Sequence, residues 1–281
     1  MSSPSKPPKL PLSLILALHP AKIDAFLSHL HRCLQTPAGV DTVLLFICYT
    51  SRLTSSLLTS ASAARLQASA RALLSNLVVA GAASEKLRGV ALDRVQAARS
   101  LRALSDLLSE FRMFTRLWSL LGLYQGIKGL AARELSGQAA ALGAFDRAMP
   151  WLQLGSCVAL QVLENGAFLA MKGVLPLKRE TIGWSMTWSS RFFAAYVGLE
   201  LGKLLVEKIR KERGEVAQSE KDVELAAWRE NWNRSFVKSL AWMPLTIHWS
   251  LEKGLVPDMA VGALATVPGV IQMSKLWRDT A

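Results

Sequence analysis

The sequence predicts an all-α fold: a helical integral membrane protein with N-terminal amphipathic helices and a C-terminal membrane hairpin. Three observations carry this. Period-2 alternation is scarce while Ala, Leu and Arg dominate the text. Hydrophobic residues make up 51% of the 281, with a mean hydropathy of +0.25, high for a water-soluble chain of this length. Apolar runs long enough to cross hydrocarbon alternate with segments dense in charge.

Residues 1–9 form a Pro/Ser/Lys tail of disordered composition. Lys6 and Lys9 precede an apolar run, 10–18, but Pro11 interrupts it and no small-residue cleavage pattern follows. It therefore reads neither as a cleaved secretory signal nor as an Arg-rich transit peptide. Residues 10–130 form the N-terminal helical region. A helix is expected over 22–34, stopped by Pro37 and Gly39, and a second over 42–58 with Asp41 as its N-cap. Leu66, Ala70, Leu73 and Leu77 then mark an amphipathic stripe opposite Arg65, Ser69 and Asn76.

Residues 86–118 are the most informative stretch. Leu87, Ala91, Val95, Ala98, Leu101, Leu104, Leu108, Phe111 and Trp118 advance in helical steps as one face. Lys86, Arg88, Arg99, Arg102, Arg112 and Arg116 fall mostly elsewhere around the helix. All of these are candidate membrane-binding residues except Ala91 and Ala98, because such a helix suits an anionic phospholipid surface. The same stripe suits packing on a neighbouring helix equally well. Gly122, Gly126 and Gly129 follow, where the helix is expected to weaken or to approach a neighbour closely.

Residues 147–206 hold two imperfect apolar helices. The first, 151–175, carries Glu164 and Asn165 at its centre, and a midplane carboxylate costs about 2.5–3.5 kcal/mol on insertion scales. The second, 182–206, carries Arg191 and Glu200, interface aromatics Trp184, Trp188 and Tyr196, and a GxxxG at Gly198 and Gly202. Residues 207–238 are a charged linker or helix, and 239–281 the anchor region. Within it, 255–273 is the best spanning candidate, with Gly262, Ala265 and Gly269 as a small-residue face, and 239–251 is a short re-entrant or interfacial arm.

The net charge of +12 is concentrated: residues 61–130 hold ten Lys/Arg against four Asp/Glu. Because those arginines interleave with Leu, Val and Phe and no nucleic-acid signature occurs, no nucleic-acid partner is expected. Cys33, Cys48 and Cys157 lie far apart in apolar contexts, so no disulfide framework is expected. A search for phosphate loops, dinucleotide fingerprints, nucleophile elbows and zinc motifs finds none. His29, His31 and Cys33 do not share one helix face. No catalytic residue, cofactor or metal site is therefore assigned.

Residues 41–53, Asp-Thr-Val-Leu-Leu-Phe-Ile-Cys-Tyr-Thr-Ser-Arg-Leu, resemble the opening motif of the peroxisomal biogenesis factor eleven family. Cys48-Tyr49 stands where that family shows Gln-Tyr, and Thr42 replaces its Lys. Residues 107–117, with Arg112 and Arg116, resemble its paired-arginine stretch, and 237–249 followed by 261–277 resemble its C-terminal membrane region. The Ala/Ser/Arg-rich stretch 55–83 and the charged linker match nothing in the family, which suggests a divergent, fungal-type member. By position, Tyr49 and Arg52 carry over onto the first motif. The resemblance implies a peroxisomal membrane protein that elongates the organelle before fission through amphipathic-helix insertion and self-association. It also implies partners in the fission machinery, including a dynamin-like GTPase and its adaptors. The residues alone leave two other readings open: a pore or metabolite carrier with a polar path along Glu164, Arg191 and Glu200, and an anchored scaffold whose basic helix packs internally.

Overall fold

The computed structural model describes the backbone of residues 20–75, 81–214 and 222–281, and side chains within 22–61, 93–214 and 225–281. The N-terminal tail, the apolar run 10–18, the stripe from Leu66 to Leu77, and the side chains of Lys86, Leu87 and Arg88 lie outside the described residues. Among the described residues every regular element is helical. In chain order they are α1 (Pro20–Cys33), α2 (Pro37–Ser75), α3 (Gly81–Thr115), a 3-10 turn (Arg116–Trp118), α4 (Ser119–Leu135), α5 (Ala144–Met171), α6 (Arg179–Glu212), α7 (Asp222–Trp249) and α8 (Asp258–Asp279).

The α1 boundaries follow the sequence signals, and Pro37 opens α2 because its missing N–H falls where a helix has no partner for one. Helix α2 is far longer than the expected 42–58. In its Ser/Thr-rich middle the hydroxyls are paired with the helix's own backbone: Thr50 donates to Phe46 O (2.6 Å), Thr54 to Thr50 O (2.8 Å) and Thr59 to Ser55 O (2.9 Å).

The long basic helix breaks before the glycines, not at them. Thr115 Oγ1 (3.0 Å) and Arg116 Nε (3.2 Å) both donate to Arg112 O, which in a regular helix would accept the Arg116 N–H. Helix α4 then runs unbroken through Gly122, Gly126 and Gly129. Of these, Gly126 comes close to a neighbour: an added Cβ would lie 3.3 Å from Leu154.

Packing makes a row that closes on itself. Helix α2 lies between α3 and α8, where Gly262 and Gly269 let backbones approach: an added Cβ would sit 3.0 Å from Leu53 Cα and 3.4 Å from Phe46 Cα respectively. The expected small-residue face is therefore used inside the chain. Helix α8 packs on α7 through Leu245, Val261 and Ala265, all buried, with Tyr49, Trp242 and Trp249 around them. Phe193 against Trp242 (5.7 Å), and Trp232 Nε1 donating to Leu204 O (2.8 Å), join α7 to α6. Helices α6 and α5 form an antiparallel hairpin tied by Gln153 to Glu200 (2.7 Å) and Arg210 to Asp146 (2.7 Å). Contacts of Arg116 with Glu164 and of Lys172 with Glu110 return α5 to α3 and the 3-10 turn.

Among the described residues three helical stretches are long and apolar enough to cross a membrane: Pro37–Ala61, Ala144–Met171 and Asp258–Asp279. The last two match the expected spans at 255–273 and 151–175. The first was hidden by its hydroxyl residues. The expected span at 182–206 is not among them, because α6 carries Arg179, Glu180, Arg191, Glu200 and Lys203 along its length. Residues 239–251 do not form a separate short arm but complete α7, which continues through Pro244 to Trp249. The turn into α8 is gripped by His248, whose Nδ1 accepts from Leu255 N (2.8 Å) and Val256 N (3.1 Å). Gly254, at φ +64°, passes so close to that ring that a Cβ would collide with it at 2.4 Å.

Candidate functional site

Helix α3 meets α2 through small residues. Ala98 and Ser105 are buried at the contact, where Ser55 Oγ donates to Ala98 O (2.7 Å) and Cys48 Sγ to Ser105 O (3.3 Å). Val95, Leu101 and Leu108 flank them, half-buried. On the opposite side Leu104, Leu107, Phe111, Phe114 and Trp118 stand exposed, the last at 65%, and the row continues along α4 as Leu121 and Tyr124. The stripe read as one face in the sequence thus divides between a helix contact and an open surface. Leu107 and Phe114, absent from that stripe, belong to the open one.

The arginines point the other way. Arg112 Nε donates to Asp41 Oδ1 (2.7 Å) and its Nη2 to Oδ2 (3.2 Å), a two-pronged pair with α2. Arg102 Nη1 reaches Asp258 Oδ2 on α8 (2.5 Å), and Arg52 on α2 pairs with the same carboxylate. Ser56 Oγ also donates to it (3.1 Å), so Asp258 gathers two arginines and a hydroxyl where three helices meet. Arg116 Nη1 lies 2.9 Å from Glu164 Oε2 and donates to Oε1 at 3.1 Å. Arg99 remains exposed. Burial works against the charge on Arg102 and on Arg112, but their carboxylate partners outweigh it and hold both guanidinium pKa values above the ordinary one.

The two first-motif residues are also internal. Tyr49 packs edge-on against Trp242 at 6.0 Å, and Arg52 sits in the Asp258 cluster. Neither role is visible in the local sequence, since Asp258 is 206 residues from Arg52 and 156 from Arg102.

Glu164, Arg191 and Glu200 are held apart. Glu164 is bound by Arg116, Glu200 by Gln153, and the Arg191 guanidinium lies over the Trp188 ring at 4.7 Å. Beside Glu164, the side-chain oxygen of Gln161 and both amide atoms of Asn165 are buried without a hydrogen-bond partner. Cys33 and Cys48 are buried free thiols, and Cys157 is half-buried. Among the described residues no cluster of His, Cys, Asp and Glu is arranged to hold a metal ion.

A helix in water buries its apolar stripe and solvates its charges. Here α3 and the 3-10 turn show Leu, Phe and Trp outward and tie Arg102, Arg112 and Arg116 inward to carboxylates of apolar helices. Covering the exposed row is worth on the order of 1 kcal/mol per half-exposed residue. This is the arrangement that an apolar surrounding favours.

Neither a family model nor a solved structure matches the chain. It is similar to an uncharacterized protein of Schizosaccharomyces pombe, 27% identical over 180 residues, a stretch that covers 64% of this chain and 78% of that one.

Proposed function

We propose that this chain is an integral protein of the peroxisomal membrane that elongates and remodels the organelle before fission. The observation that carries the reading is the outward row Leu104, Leu107, Phe111, Phe114 and Trp118, set beside three helices apolar enough to span. The resemblance of residues 41–53, 107–117, 237–249 and 261–277 to the peroxisomal biogenesis factor eleven family supplies the organelle and the process. In this reading the row sinks roughly 5–10 Å below the headgroups of an anionic leaflet and enlarges that leaflet, which favours positive curvature. Copies of the chain self-associate to concentrate the effect, and a dynamin-like GTPase with its adaptors then acts on the elongated membrane. No enzymatic step is assigned.

The test is full-length protein reconstituted into anionic liposomes, together with peroxisome number and shape in cells lacking or overproducing it. Tubules, and fewer, larger peroxisomes on deletion, are expected. Leu107→Glu with Phe111→Glu should abolish tubulation while leaving helix content intact. Tubulation by that variant equal to wild type would refute the wedge, and unchanged peroxisomes would refute the assignment. A second reading, a pore or metabolite carrier, draws on the unpartnered Gln161 and Asn165 atoms beside Glu164 in α5. Solute flux abolished by Glu164→Gln, with tubulation absent, would replace the first reading with it.

A further inference from the structure

The facing ends of α6 and α7 form a groove that membrane wedging leaves unused. The C-terminal end of α6 and the N-terminal part of α7 enclose about 430 Å³ between Lys208, Lys211, Trp228, Arg229, Trp232 and Asn233. Two indoles make one wall, and each carries an ammonium: Lys208 Nζ lies 5.1 Å from the Trp232 ring centre and Lys211 Nζ 5.2 Å from that of Trp228. The rings hold two otherwise flexible charges toward one space. Arg229 is exposed at the same mouth and makes no ion pair or hydrogen bond among the described residues. Among the described residues Glu212 is the carboxylate at this wall, 3.8 Å from Lys208, and Lys211 has a further contact of its own.

The groove's place in the fold says which anion meets it. Arg210, between the two lysines, is bound to Asp146 in the first turn of α5. Glu230, next to Arg229, pairs with Arg278 in the last turn of α8 at 3.3 Å. Both α5 and α8 are apolar enough to span, and the groove lies where they end. That is headgroup level, the layer in which Trp and Lys gather.

We propose that this groove binds the phosphate of an anionic lipid headgroup. The inference rests on the membrane reading of the chain but not on wedging by α3. A phosphate seated there receives two ammonium charges and the planar fork of Arg229, a geometry suited to its oxygens. A soluble phosphate ester shares this chemistry, and the source is decided by experiment.

Full-length protein and the variant Lys208→Gln/Lys211→Gln/Arg229→Gln are placed in nanodiscs of phosphatidylcholine containing phosphatidic acid. Lipid retained after transfer to detergent is then counted by native mass spectrometry. Each cation is worth about fivefold on an anionic surface, so the triple variant should retain phosphatidic acid about a hundredfold more weakly. Arg229→Glu, which breaks no hydrogen bond or ion pair among the described residues, should weaken it at least tenfold with helix content and melting unchanged. Lys128→Gln, a cation remote in sequence on α4, should leave it at the wild-type level. Equal retention by wild type and Arg229→Glu would overturn the proposal. Titration with glycerol 3-phosphate in detergent, read by indole fluorescence, separates the sources: saturation by it without phosphatidic acid retention overturns the lipid assignment. Protein that enters no bilayer refutes the membrane reading and the lipid assignment together, whereas entry without retention refutes the groove alone.

Discussion

The pair between Arg112 and Asp41 offers a measurement whose sign is set by unequal burial. The Arg112 side chain is 12% exposed and that of Asp41 40%. Removing one partner of a buried pair costs about 3–5 kcal/mol because the other charge is left without compensation. Asp41→Asn strands the guanidinium in the interior beside Tyr49, and since water already reaches the carboxylate side the cost should fall at about 2–3 kcal/mol. Arg112→Met leaves a carboxylate that water can solvate, and should cost only about 1 kcal/mol, the net worth of an ordinary intramolecular hydrogen bond. Asp41→Asn with Arg112→Met removes both charges and should lie within about 1 kcal/mol of wild type, giving a coupling energy of about 2–3 kcal/mol. At this chain length 1 kcal/mol moves the midpoint by roughly 2–4 °C, so the order is readable by circular dichroism melting in dodecyl maltoside. A larger loss from Arg112→Met than from Asp41→Asn, or additive effects in the double variant, would refute the claim that this arginine is committed to the interior.

Two further outcomes test the packing. Gly262→Ala places a methyl 3.0 Å from the Leu53 backbone, which cannot step aside, so α2 and α8 must separate and stability should fall by about 1–3 kcal/mol; Gly202→Ala, which meets nothing inside α6, should instead raise stability by about 0.5–1 kcal/mol in the same melt. Glu134 bonds Arg147 Nε at 2.9 and 3.1 Å and Trp151 Nε1 at 3.4 Å, and the Arg147 bonds lead in holding its carboxyl below the ordinary 4.5. Its contribution to stability is complete above the unfolded pKa and is lost as pH falls through the lower folded value. A ¹³C-carboxylate titration, with Glu134→Gln to assign the signal, should give a midpoint under 4.5, and a midpoint at or above it would refute the contact.

Much of the helix layout is legible locally. Pro37 sets the α1–α2 break, and the steps from Gly262 to Gly269 announce a close contact, because small side chains at helical spacing have few other uses in an apolar run. The apolar stretch of α2 is long enough on average, but Thr50, Thr54 and Ser55 break up its run although each bonds a carbonyl. The orientation of α3 is not legible. Its apolar residues cover more than half the helix circumference, so the inward side is chosen by what the arginines meet, and Asp258 and Glu164 lie on distant segments. Glu164 read alone is an intrusion in a span; with Arg116 against it, the same residue is half of a neutral pair. The 3-10 turn rests on side chains competing for the Arg112 carbonyl, a contest that composition does not record.

Near the chain's two ends, α1 holds the end of α8. His29 Nε2 lies 2.9 Å from Trp277 O and 3.1 Å from Thr280 Oγ1, Arg32 Nε donates to Thr280 O at 2.8 Å, and Cys33 Sγ lies 3.1 Å from the Thr280 hydroxyl. Because this clasp joins residues about 250 apart, the membrane reading proposed above puts 29–33 and 277–280 at one face of the bilayer. A bulky fusion placed directly after Ala281 should then pull on the very carbonyl that Arg32 holds.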